Sequence, residues 1–353
     1  MICYKAADER FANTNRIIKE DMDNILKQPL DWIGFKDKYV LVTGGTGLVG
    51  SYCIWILLAI GANVIALVRN RDKAEKLFGN SVDYIVGDVS VPFECNKNLD
   101  YVIHAAGIIS RISWKNTPVD VLEVNAMSTY YLLKNAVKNK VKKFLYISSN
   151  AVYGNSGNHN GILEENDYGY IDIQNVGSTY AMSKKFSETL CIDFTQQYGL
   201  DTAILRIPTI YGAMQGAESG NTIPQFIEDA LSNKDITLQS DGSAMRANIY
   251  CADAVLAMFC VLLKGVSAKA YNAQSKNSFY SIIDTAKAIA EIASKYGYKI
   301  SVKAKERDEF SKTSIIGLND KLIIDLGYES QVSLKEGLER TIVQAMNKKG
   351  SVL

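Results

Sequence analysis

Lys38-Tyr39-Val40-Leu41-Val42-Thr43-Gly44-Gly45-Thr46-Gly47-Leu48-Val49-Gly50 is the stretch that decides the fold. Its first six residues are mostly apolar, like a strand buried inside a parallel sheet. Glycines crowd the next seven positions, and Ser51 to Ile60 is then apolar over the length of a helix. Strand, glycine turn and helix is the context in which such a turn holds a dinucleotide. Glycines allow the tight turn and let the backbone come close to a pyrophosphate. The helix N-terminus turns unpaired N–H groups and the positive end of its dipole toward the phosphates. Gly44, Gly47, Leu48 and Val49 are therefore candidate cofactor contacts, a bare structural turn being the alternative.

A second apolar strand follows at Asn63–Val68. An NAD site usually carries an acid about twenty residues past the glycines, on the ribose 2′-hydroxyl. This chain has Arg69-Asn70-Arg71 there. A guanidinium suits the 2′-phosphate of NADP, which a carboxylate would repel. NADP is favoured on that ground. Asp72, slightly later, leaves NAD open, and ordinary surface charge is the alternative reading of both arginines.

Apolar runs at 82–86, 101–104, 143–147 and 202–206 alternate with helical stretches near 51–60, 118–139 and 178–198. Such alternation implies an α/β fold, a Rossmann-type doubly wound parallel sheet covered on both faces. Residues 1–34 read as an N-terminal helical extension. The dinucleotide-binding domain is expected over 35–212, with 247–275 returning to it. A smaller, mixed C-terminal substrate lobe is expected over 213–246 and 276–349.

Tyr180 and Lys184 are four residues apart, so on a helix they share a face. A cation near a phenol lowers its pKa from about 10 and suits it to exchange a proton while a hydride moves. The spacing alone is weak, since Tyr130 and Lys134 share it.

Lys plus Arg number 39 and Asp plus Glu 38 in 353 residues, so no net basicity draws the chain to a nucleic acid or an anionic membrane. The N-terminus is interrupted at once by Lys5, Asp8, Glu9 and Arg10, unlike a signal peptide. Six scattered cysteines with no Cys-x-x-Cys pair read as reduced core thiols, and a cytoplasmic location is expected. With only His104 and His159, neither a His-based metal site nor a Ser-His-Asp hydrolase is expected.

These residues together resemble the extended short-chain dehydrogenase/reductases, the NAD-dependent epimerase/dehydratase family that acts on nucleotide sugars. The resemblance runs from about Lys38 to about Leu338. Thr43 followed by Gly44-x-x-Gly47-x-x-Gly50 is that family's turn. After it come Gly87-Asp88-Val89, Val102-Ile103-His104-Ala105-Ala106-Gly107, Val124-Asn125 and Ile147 to Gly154. Tyr180 with Lys184, Leu205-Arg206 to Gly212, and Arg246 to Ala254 complete the set in order.

The resemblance implies roles. Asp88 and Val89 would lie on the adenine side, and Ala105, Ala106 and Gly107 along the cofactor. Asn125 would support the site from its helix. Ser149 would hydrogen-bond the substrate oxygen beside Asn150, Tyr180 would move the proton, and Lys184 would hold the nicotinamide ribose. Arg246 would hold the substrate diphosphate, and Arg307 would be a further substrate contact. The sequence also departs from the family. Sugar 4,6-dehydratases carry Asp-Glu where Asn150-Ala151 stand, and the decarboxylases carry a glutamate at Ala151. Dehydration and decarboxylation are therefore disfavoured. A nucleotide-sugar 4-epimerase is the leading reading and an NADPH-dependent keto-sugar reductase the alternative. A non-catalytic NADP-binding regulator is the remote one. A homodimer is expected, and Asn155 to Gly177 reads as a mobile flap.

Overall fold

In the computed structural model, residues 15–95, 97–155, 161–213, 221–306, 315–348 and 350 are described. Seven strands form one parallel sheet: β1 (Tyr39–Thr43), β2 (Asn63–Val68), β3 (Asp83–Val86), β4 (Tyr101–His104), β5 (Lys143–Ser149), β6 (Thr202–Ile207) and β7 (Lys269–Asn272). Their order across the sheet is β7-β6-β5-β4-β1-β2-β3, with every neighbour parallel. The chain leaves β1 in one direction for β2 and β3, then returns to the other side of β1 for β4. Ligands of doubly wound sheets bind where the order reverses, beyond the carboxyl ends of the strands.

The helices, in chain order, are α1 (Arg16–Leu26), α2 (Leu48–Ala59), α3 (Arg71–Phe78), α4 (Arg111–Asn116), α5 (Pro118–Leu122), α6 (Ser128–Lys138), α7 (Thr179–Tyr198), α8 (Thr222–Leu231), α9 (Cys251–Lys264), α10 (Ile282–Lys295), α11 (Lys321–Asp325) and α12 (Leu334–Lys348). Strand alternation divides the core between the two faces. Val40 and Val42 of β1 pack with α2 and α9, whereas Leu41 packs with α6 and α7. Leu145 and Ile147 of β5 take the first side, Phe144 and Tyr146 the second.

Helix α2 is buried on all sides from Gly50 to Leu58. A helix apolar all round needs cover all round. The sheet and α9 supply part of it, and α1 supplies more through Ile18, Met22 and Ile25. Asn15 caps α1 by accepting a hydrogen bond from Ile18 N at 3.0 Å. Asp21 of α1 is buried. Its carboxylate accepts from the Tyr52 and Tyr250 hydroxyls, each at 2.9 Å, and from Arg340 Nη1 of α12 at 3.1 Å.

The expected single helix over 118–139 is interrupted. Between α5 and α6, Glu123–Met127 forms one wide π-type turn. Such turns accommodate an extra residue and often mark functional sites. Here the turn carries Asn125.

A smaller four-stranded sheet runs in the order Tyr280–Ser281, Met245–Arg246, Ile315–Leu318, Ile162–Leu163, with α8, α10 and α12 packed together beside it. Its edge strand comes from the stretch expected to be a mobile flap. That stretch is tied down where it is described. Ile162 and Leu163 pair with Gly317 and Leu318, and Asn155 and Tyr170 exchange backbone hydrogen bonds. Among the described residues, no helix is long and apolar enough to cross a membrane.

Candidate active site

A cleft of about 630 Å³ opens at the carboxyl ends of the strands, from the β2–β3 side past β1 and β4 to β5 and β6. This volume is typical of a small-molecule site. The glycine turn forms its floor. Gly44 has φ +70°, and a Cβ on it would lie 2.8 Å from Ala106 N. The loops after β1 and β4 therefore touch at the switch point. Thr43 Oγ1 accepts from Ala106 N at 3.1 Å and bonds His104 Nδ1 at 2.8 Å. The other nitrogen of His104 meets Ser128 and Thr129. Burial pushes that imidazole down to about 3, so His104 is a neutral packing residue.

The residues present fit a dinucleotide. A Cβ at Gly50 would lie 2.2 Å from Gly44 O, so only glycine closes this turn. Gly47 is the N-cap of α2 and has no side chain to occupy the first-turn N–H groups, and Gly47 to Gly50 line the cleft. Of the sequence candidates, Gly44, Gly47, Leu48 and Val49 line the cleft here. Arg69, Asp88 and Val89 line it on the β2–β3 side, and Ala105, Ala106 and Gly107 line it after β4. Asp88 accepts from the backbone and side chain of Ser90, and these bonds hold its carboxyl below the usual range.

Arg71 departs from its expected place. Asn70 caps α3, so Arg71 begins the helix and pairs with Glu75 one turn on, at 2.7 Å, outside the cleft. Lys73 lines the cleft beside Arg69 instead. A helical side chain leans back toward the N-terminus, which brings Lys73 over the capped end. The cap pattern Asn70-x-x-Lys73 was the available signal.

Ser149, Asn150, Tyr180 and Lys184 meet at the β5 end, and Arg246 lines the cleft from the smaller sheet. Ser149 ends β5 and its hydroxyl accepts from Ala151 N at 3.2 Å. Tyr180 and Lys184 share the buried face of α7. Of the competing pair, Tyr130 is half-buried against Phe194 of α7 and Lys134 is exposed, and neither lines the cleft.

The expected lowering of the Tyr180 pKa is not what this geometry gives. Burial raises it, and a hydrogen bond with Ser149 works the other way. Lys184 Nζ donates to Ile147 O at 2.8 Å and sits 5.9 Å from the Tyr180 ring centre. Burial lowers the lysine to about 8, opposed by the charge of Glu188 one turn further on.

Asn125, expected both to support the site and to contact the cofactor, lies behind the cleft wall. Its amide is spent on the backbone of Ile108, accepting from N at 2.7 Å and donating to O at 3.1 Å. Arg307 lies outside the described residues.

Two features escaped the sequence reading. Trp114 lines the cleft and stacks on Tyr180. Beneath the site, Arg206 grips Glu188 through Nε at 3.0 Å and Nη2 at 2.7 Å. Arg206 Nη1 also donates to Tyr153 Oη at 3.1 Å and to Glu165 O at 2.7 Å. Glu188 continues the i, i+4 face of Tyr180 and Lys184, which could have revealed it.

The NAD dependent epimerase/dehydratase family model matches residues 40–273. The chain belongs to that family. It is an enzyme of the extended short-chain dehydrogenase/reductase type, in a family that depends on NAD. It is 28% identical over 305 residues to UDP-glucuronic acid decarboxylase 6 of Arabidopsis thaliana, covering 85% of this chain and 86% of that protein. Among solved structures, UDP-glucose 4-epimerase of Thermotoga maritima with UDP-glucose shares the fold at TM-score 0.77 and 23% identity. That alignment covers 88% of this chain and 99% of the other. The Bordetella bronchiseptica enzyme WbmF in complex with NAD+ and UDP aligns at TM-score 0.74 and 22% identity, over 90% and 95% of the two chains.

Proposed function

We propose that this family member is a nucleotide-sugar 4-epimerase, which takes a hydride from a sugar carbon and returns it to the opposite face. One observation carries the reading: among the described residues, no carboxylate lines the cleft beside Tyr180. Asp88, which follows β3, is the single carboxylate among the described residues lining the cleft. Elimination of water needs an acid and a base beyond the tyrosine. Glu164 and Glu165 could have replaced them, but both are engaged outside the cleft. Glu165 Oε1 accepts from Asn272 N at 2.8 Å and Glu164 Oε1 from Asn319 Nδ2 at 3.1 Å.

A nicotinamide dinucleotide supplies the hydride acceptor and donor. The N-terminus of α2 would hold its pyrophosphate. Arg69 and Lys73 would hold the adenosine ribose and favour a 2′-phosphate, so we propose NADP over NAD. Lys184 would hold the second ribose. Ser149 would fix the substrate hydroxyl, and Tyr180 would accept its proton and give it back. Arg246 would meet the diphosphate.

The pair of cations also favours the second reading, a keto-sugar reductase, because an enzyme that gives its hydride away must exchange its cofactor. A homodimer is carried as a proposal too. Val119, Leu122 and Met127 are exposed beside α7, and sedimentation at several concentrations tests whether a second copy covers them.

Two measurements test the function. Denaturing the purified protein should release a stoichiometric dinucleotide, whereas reversible NADPH binding to an empty protein would favour the reductase. Incubation with UDP-, dTDP-, GDP- and CDP-hexoses and with UDP-glucuronic acid should give an isomer of unchanged mass. Enzymatic loss of water or of carbon dioxide would overturn the reading. Tyr180→Phe should cut turnover by roughly 10²–10⁴-fold.

A further inference from the structure

Trp114 lies flat on Tyr180, with ring centres 4.4 Å apart and planes 10° from parallel. Every other aromatic pair among the described residues is tilted or edge-on. The indole Nε1 is buried with no hydrogen-bond partner among the described residues. Buried tryptophans normally satisfy that donor.

Its neighbours connect it to both halves of the site. Helix α4 packs on Val176–Ser178, the turn that leads directly into α7 and Tyr180. The chain entering α4 passes Ala105, Ala106, Gly107 and Ile108, which wall the cleft, and Asn125 grips Ile108 by both backbone groups. Lys184 Nζ donates to Ile147 O, not to the phenol, and lies 5.9 Å from the Tyr180 ring centre.

We propose that Trp114 is a positioning residue for proton transfer at Tyr180, resting on the reading of Tyr180 as the proton carrier. The indole blocks the phenol from swinging about its Cα–Cβ bond, a motion that would carry the hydroxyl away from Ser149. It also keeps water from that face of the ring. Because one loop forms the cofactor wall and leads to Trp114, the wall and the phenol are registered to each other.

The test compares Trp114→Ala and Trp114→Phe on whichever UDP-hexose the unaltered enzyme isomerises. A misplacement of about 1 Å can cost on the order of 10²-fold. Trp114→Ala should therefore lower kcat by roughly 10–100-fold, with KM and the amount of dinucleotide retained by the purified protein little changed. Trp114→Phe, still flat, should recover most of the loss. If the alanine variant does not fold, Trp114→Leu, bulky but not flat, takes its place. Unchanged kcat, a loss confined to KM or to the retained dinucleotide, or no recovery by phenylalanine would each overturn the proposal. Tyr180→Phe separates the two readings. Full turnover by that variant defeats the proposed function itself, whereas an inactive Tyr180→Phe beside a fully active Trp114→Ala defeats only the role of Trp114.

Discussion

Lys73 and Arg69 bear most directly on the choice of cofactor. Both are exposed and both line the cleft at the β2–β3 side, while Arg71 is spent on Glu75. A 2′-phosphate placed between two cations gains charge-assisted hydrogen bonds that a plain hydroxyl cannot make. Arg69→Ala and Lys73→Ala should each weaken NADP binding by roughly tenfold and leave NAD binding nearly unchanged. Arg71→Ala should alter neither. Equal or tighter binding of NAD by the unaltered protein would show that these cations are surface charge. The sequence offers three cations within five residues. Helix capping sorts them, since Asn70 fixes which of them begins the helix and which leans back over its end.

At the level of elements, the sheet was the most legible part. Buried parallel strands are continuous apolar runs, so β1, β2 and β4 to β6 could be read almost to the residue. The wide turn at Glu123–Met127 could not, because the bond that Asn125 makes from it to Ile108 is a tertiary contact. Nor could the anchoring of the 155–177 stretch, whose partners lie far along the chain at Asn272 and Gly317. The stacking of Trp114 was hidden for the same reason. Tyr180, Lys184 and Ser149 were legible by order and spacing, but the direction of the Tyr180 shift was not, because burial has no signature at one residue.

Helix α1 carries its own testable consequence. Burial raises the Asp21 carboxyl from 3.8 to about 6, against the Tyr250, Tyr52 and Arg340 contacts that favour its charge and alongside Glu20, which does not. The folded state thus holds this proton more tightly than the unfolded chain. The stability it contributes is present below about 4 and is lost as pH rises through about 6. Unfolding midpoints of Asp21→Asn, relative to the unaltered protein, should rise over that window and level off above it. A difference that does not vary with pH would mean that Asp21 ionises as it does in water.

For the whole molecule, the family match begins at residue 40, yet the core does not. Trp32 and Phe35 pack against Phe259 of α9 with ring centres 5.3 and 5.6 Å away, and α1 lies over α2. An expression fragment cut at the family boundary would leave α2 with an uncovered apolar flank several turns long. Exposed surface of that kind drives association between copies. A chain beginning at Lys38 should therefore collect in the insoluble fraction, or elute as large aggregates under light scattering, while the full chain stays dispersed. A dispersed fragment of normal NADP affinity would show the opposite. The same cut would loosen the helix whose first turn lines the cleft. On this account the leading segment keeps the part that the family model matches from meeting copies of itself.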